Sequence, residues 1–139
     1  MNDTILALLG YITWILILLV CLATYRTLLV AKKEQAVNGF KPDGSDSPAL
    51  GERITRAQSN CVESFAFIGG LMLLALATDS TAITNGLALF LLAARLGQSV
   101  THLISTTESA VQLRFAFFLA QIGICFYWVI IFVTKFIGA

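Results

Sequence analysis

Between Thr4 and Tyr25 the chain reads TILALLGYITWILILLVCLATY, twenty-two residues without a charged side chain. As a helix this run rises about 33 Å, close to the hydrocarbon thickness of a bilayer. No other feature restricts the fold as strongly. A secretory signal peptide needs a basic start and a small-residue cleavage site, whereas this run begins MND and continues into RTLLVAKKE. It is therefore expected to remain as a membrane helix.

The same character returns three more times. A second apolar run ends in FIGGLMLLALAT near Thr78, and a third reaches from about Thr81 to Ser105, interrupted by Arg95 and His102. A fourth spans about Ala110 to Phe136 and holds a charge-free stretch from Phe115 to Thr134. Apolar residues make up 58% of the 139 and charged residues 12%. Soluble domains sit near 45–50% and about 25%, so both values point to a bilayer protein. The predicted architecture is all-α: a single domain over 1–139, an integral membrane four-helix up-down bundle. Its helices are expected at about 4–31, 52–78, 81–105 and 110–136.

Both prolines, Pro42 and Pro48, fall between Lys32 and Gly51 together with Gly39 and Gly44. That segment, 32–51, reads as a polar loop. DSTAITN is short enough for a turn, in which Asp79 or Ser80 is expected to cap the next helix. Arg26, Lys32, Lys33, Lys41, Arg53 and Arg56 cluster around the first loop, and the second connection has no basic residue. The positive-inside rule places the first and third connections in the cytoplasm and both termini outside it, with Lys135 as a minor exception.

The formal net charge is +1, which gives no polybasic surface for nucleic acid. The three cysteines, Cys21, Cys61 and Cys125, lie far apart inside apolar runs, without metal-ligand spacing or a disulfide pattern. All three read as buried spectators.

Against this background the polar groups at membrane depth stand out. Arg56, Asn60 and Glu63 are spaced by four and three, which puts them on one helical face, with Gln58 and Ser59 beside it. On the third run Arg95, Gln98 or Ser99, and His102 share a face in the same way, and Arg114 opens the fourth run. The topology brings all of them to one end of the bundle. A charge at the centre of a bilayer helix costs about 2.5–3.5 kcal/mol or more, so such groups face a bundle interior or a wet cavity. Two readings fit the spacing. One is an arginine-rich pocket for a ligand bearing carboxylates or a thiolate. The other is structural glue, with Asn60 and Glu63 pairing with Arg95 across the bundle, Arg56 snorkelling to the headgroups and His102 a solvated helix end.

The phrase RAQSNCVE, together with AARLGQSVTH and QLRFAFFLAQ, resembles the second-, third- and fourth-helix segments of the MAPEG superfamily. These are the membrane-associated proteins of eicosanoid and glutathione metabolism. The long first loop and the four-run order are similar too, so the resemblance extends over nearly the whole chain. It implies a homotrimer with sites between subunits and glutathione bound as co-substrate at the cytoplasmic end. Arg56, Gln58, Asn60, Glu63, Arg95, Gln98 and His102 are then expected to bind glutathione, and Arg114 to activate its thiol. The activity implied is a glutathione-dependent transferase or peroxidase acting on lipophilic electrophiles or lipid hydroperoxides. The alternative is a non-enzymatic lipid-binding or scaffold member. The implied setting is an inner bacterial membrane or an endoplasmic reticulum-type membrane. His102 stands where family enzymes often carry a tyrosine, seven residues after the third-helix arginine.

Overall fold

The computed structural model describes residues 2–31, 49–104 and 107–138. Four helices follow one another: α1 (Asp3–Ala31), α2 (Ala49–Ala77), α3 (Thr81–Ile104) and α4 (Glu108–Phe136). Each is long and apolar enough to cross a membrane. Among the described residues there is no strand.

Local chemistry sets several boundaries. The Asn2 side-chain oxygen accepts from the Thr4 amide at 2.9 Å, which caps α1. Thr107 caps α4 by accepting from the Ala110 amide, and Glu108 places a carboxylate against the positive end of the helix. The apolar pattern alone sets that start at Ala110, because a capped first turn is polar. Lys32 to Pro48, most of the expected polar loop, lie outside the described residues, as does Ser105. The remainder of that loop is helical instead: α2 begins at Ala49 and includes Gly51. Gly51 reads as turn punctuation in the sequence, but in the helix it is buried and its carbonyl accepts from Thr55 Oγ1.

The α2–α3 turn differs from the sequence expectation in its use of Asp79. This residue takes the left-handed conformation, φ 54°, and the Ser80 amide reaches back to the Ala75 carbonyl at 2.7 Å. The pattern closes the C-terminus of α2. The Ser80 hydroxyl also donates to the Thr78 carbonyl within the turn and accepts from Lys135 Nζ on α4 at 2.7 Å.

Helix α1 packs on α2 and α3, α2 on α3, and α3 on α4, whereas α2 and α4 touch only lightly. The core holds Tyr11, Leu18, Ile68, Met72, Leu91 and Trp128. Close approach is bought by small residues, since a Cβ on Gly97 would fall 2.8 Å from the Phe117 ring and one on Gly10 2.7 Å from Leu92. Large apolar side chains such as Leu16, Val20, Phe90, Phe126 and Ile130 cover the outside, as a hydrocarbon solvent demands. Of the cysteines, Cys61 and Cys125 are buried, but Cys21 is exposed on α1. Helix α1 is apolar on every side, so its sequence carries no sign of which face turns inward.

At one end of the bundle, Thr4 Oγ1 meets Thr84 Oγ1 and Asn85 Oδ1, both at 2.6 Å, and ties α1 to α3. The opposite end gathers the start of α2, the end of α3 and the start of α4. There Arg53 Nε donates to the Leu103 carbonyl at 2.9 Å.

Candidate functional site

Arg95 is the centre of the polar interior. It projects from α3 and is 1% exposed. Its Nε donates to Gln121 Oε1 on α4 at 2.8 Å, and Nη1 donates to Asn60 Oδ1 on α2 at 2.6 Å. Nη2 donates to Gln98 Oε1 one turn along α3. The amides are themselves linked, because Gln121 Nε2 donates to Gln98 Oε1 at 2.8 Å and to the Phe117 carbonyl at 3.0 Å. Around this cluster, Cys61 Sγ lies 2.9 Å from Ser99 Oγ, and the Tyr11 hydroxyl donates to the Cys61 carbonyl at 2.6 Å. Cys61 is therefore bonded into the polar layer rather than a spectator.

The Arg95 guanidinium has only neutral acceptors. Among the described residues the single ion pair is Arg56–Glu52, one turn apart on α2. A buried cation held by amide dipoles keeps its full charge, and the positive field it makes is screened little in such surroundings.

Immediately beside Arg95's partners lies a cavity of about 260 Å³, lined by Asn60, Gln98, His102, Val111, Arg114, Phe115 and Phe118. Four of the eight sequence-selected residues thus meet on one surface. Arg114 Nη1 contacts His102 Nδ1 at 2.6 Å, and the Arg114 Nε is buried without a hydrogen-bond partner. Arg95 sits behind the wall, joined to the cavity through Asn60 and Gln98. The arrangement offers an anionic group two guanidinium charges, amide donors and aromatic walls.

The α2 stripe divides. Asn60 turns inward to Arg95, while Arg56 and Glu63 are exposed and Gln58 is half-buried; none of these three lines the cavity. Glu63 makes no contact with Arg95, so of the pairings expected as glue only Asn60–Arg95 forms. Gln121 is the residue that sequence reading passed over. Its signal was present, as a primary amide in the otherwise charge-free stretch of α4.

An apolar groove of about 510 Å³ runs between α2 and α4, bounded by Phe67, Gly70, Leu74, Cys125 and Phe126 among others. Phe67 follows Glu63 by four residues, so the groove continues from the charged stripe along the outer side of α2.

Four apolar spanning helices around a buried arginine–amide layer, with a cationic cavity at one end, define a multi-pass membrane protein with a polar ligand-sized site. The model of the MAPEG family matches residues 4–134, and the chain belongs to that family. It is accordingly a membrane protein related to glutathione and eicosanoid metabolism. Comparison with curated proteins and with solved structures returned no match.

Proposed function

We propose that the protein is a membrane-bound, glutathione-dependent transferase or peroxidase acting on lipophilic electrophiles or lipid hydroperoxides. The observation that carries this reading is the cavity in which Asn60, Gln98, His102 and Arg114 meet beside the uncompensated Arg95 guanidinium. A free thiol has a pKa of about 8.5, and an adjacent guanidinium raises its thiolate fraction at neutral pH. In this reading Arg114 takes that role. The thiolate then attacks an electrophilic carbon, forming a C–S bond as the leaving group departs. With a hydroperoxide it attacks the terminal oxygen, the O–O bond breaks, and a second glutathione completes reduction to the lipid alcohol, disulfide and water.

Arg56, Gln58 and Glu63 complete the glutathione site across a subunit boundary in this reading. Arg56 and Glu63 face outward at or near membrane depth. Turned toward lipid they carry a penalty of several kcal/mol, which a homotrimer relieves by giving them protein and peptide partners. The lipophilic substrate enters along the α2–α4 groove. Arg26, Arg53 and Arg56 lie toward the end of the bundle that holds the cavity, which supports a cytoplasmic placement of the site and external termini.

The apolar groove, larger than the polar cavity, favours a second reading: a non-enzymatic lipid-binding or scaffold protein. Calorimetry of glutathione binding to detergent-solubilised protein, with turnover on a panel of electrophiles and hydroperoxides, separates the two. The enzyme reading expects binding and turnover, with Arg114→Ala abolishing turnover and leaving the oligomer intact. Lipid binding with neither glutathione binding nor turnover overturns it.

A further inference from the structure

Arg95 and the Phe117 carbonyl impose a direction on the amides between them. A guanidinium offers donors and no acceptor, so an amide atom bonded to it must be the oxygen. A backbone carbonyl only accepts, so its amide partner must be the nitrogen. Gln121 meets both conditions at once, with Oε1 2.8 Å from Arg95 Nε and Nε2 3.0 Å from the Phe117 oxygen. Its Nε2 and Arg95 Nη2 together draw the Gln98 oxygen inward. Asn60 has one anchor, Arg95 Nη1, which holds its Oδ1 at 2.6 Å. Oxygen and nitrogen are the two prongs of one planar amide, so turning both oxygens to the guanidinium turns both nitrogens away from it. Asn60 and Gln98 line the cavity. Neither nitrogen has an acceptor among the described residues, and neither is fully enclosed.

We propose that Arg95 is a positioning residue: it fixes the amides of Asn60 and Gln98 with their N–H groups toward the cavity, and thereby selects an acceptor-only ligand group, a carboxylate or a thiolate. Arg95 itself lies behind the wall, 1% exposed, and touches no ligand. This differs from direct binding, the role that the family resemblance implies for it. Three of the four polar side chains on the cavity wall, Asn60, Gln98 and Arg114, then meet a ligand with donors. An amide free to turn can also show its oxygen, and would serve an ammonium or a hydroxyl as readily as an anion. Fixed in this way, it discriminates. The consequence for glutathione rests on the reading above: the group seated against the two amides is a carboxylate or the thiolate, not the ammonium. The direction of the amides does not rest on that reading.

Amide direction can be read without any ligand. Full-length protein with isotope-labelled asparagine and glutamine side chains, in lipid nanodiscs, is followed by NMR of the side-chain NH2 groups. Asn60→Leu, Gln98→Met and Gln121→Leu assign the signals. Asn60 and Gln98 are expected to exchange these protons with water at least roughly tenfold faster than Gln121, whose NH2 is bonded to the Phe117 and Gln98 oxygens. Exchange at either amide as slow as that of Gln121 overturns the proposal.

Affinity supplies the second readout. Glutathione binding is measured by calorimetry for the wild type, Arg95→Met, Asn60→Leu and the double variant. The charge of Arg95 acts on the ligand whether or not Asn60 is present, so loss of its field cancels from the comparison. The orientation of Asn60 counts only where Asn60 is present. Arg95→Met is therefore expected to weaken binding roughly tenfold more in the otherwise wild-type chain than after Asn60→Leu, the scale of one hydrogen bond to a charged group. Equal losses in the two backgrounds overturn the positioning role. If the wild type binds no glutathione, the glutathione reading falls and proton exchange alone decides the direction of the amides.

Discussion

Replacing Gln121 with leucine tests the account of the polar interior. The change keeps side-chain volume and removes three hydrogen bonds: the acceptor for Arg95 Nε at 2.8 Å and donors to Gln98 Oε1 and the Phe117 carbonyl. The most costly consequence is at Arg95, which is 1% exposed and so finds no water to replace the lost acceptor. A hydrogen bond to a charged group is worth about 1.5–3 kcal/mol in proteins, while interhelical bonds in membranes average about 0.6 and reach about 1.7. The charge and the depth place Gln121→Leu near the upper membrane value, at about 2 kcal/mol, or roughly thirtyfold in the folding equilibrium. Arg95→Met removes the charge itself and leaves the Gln121–Gln98 amide pair intact, so its cost is expected to be smaller. The decisive sample is the double variant. If the penalty of Gln121→Leu comes from an orphaned cation, at least half of it disappears once Arg95 is methionine. Unfolding by sodium dodecyl sulfate in mixed micelles, followed through Trp14 and Trp128 fluorescence, gives the four free energies. Additive costs, or a larger loss for Arg95→Met than for Gln121→Leu, would refute the reasoning.

Gly97→Ala drives a Cβ to 2.8 Å from the Phe117 ring and is expected to lower stability by about 1–3 kcal/mol while moving the start of α4 that carries Arg114; the same assay, with glutathione affinity, checks both effects. Gly86→Ala meets open space within the chain and is expected to gain up to about 1 kcal/mol from helix propensity; a loss instead would reveal a neighbouring subunit at that position. Asn85→Leu removes one of the partners of Thr4 and is expected to loosen the end of the bundle remote from the cavity, by about 1 kcal/mol, with glutathione affinity unchanged.

The four spans could be read in the sequence because a bilayer fixes the length and polarity of whatever crosses it. The faces were harder. Arg56, Asn60 and Glu63 share a stripe by spacing, yet at 100° per residue Asn60 and Glu63 diverge by about 60°. That angle is enough to bury Asn60 against Arg95 and leave Glu63 on the outer surface. The cavity residues Gln98, His102 and Arg114 were identifiable as polar groups at one end, but not their pairing, which depends on the rotation of α4 against α3. Gln121 is hidden because its run is marked by the absence of charge, and an amide has none. Cys21 reads as buried yet is exposed, because helix α1 shows no polar face from which to orient it.

The buried arginine also bears on how the chain is made. Helix α3 carries Arg95 near its middle. Entering a bilayer alone, it would meet a penalty of about 2.5–3.5 kcal/mol for that one residue. Beyond Gln98 on its own helix, the acceptors that satisfy it come from α2, synthesised earlier, and α4, synthesised later. Partitioning of α3 into lipid is therefore tied to its neighbours on both sides. Until α4 emerges and brings Gln121 alongside, the third helix is only partly satisfied, and a nascent chain ending before that residue would be a substrate for quality control.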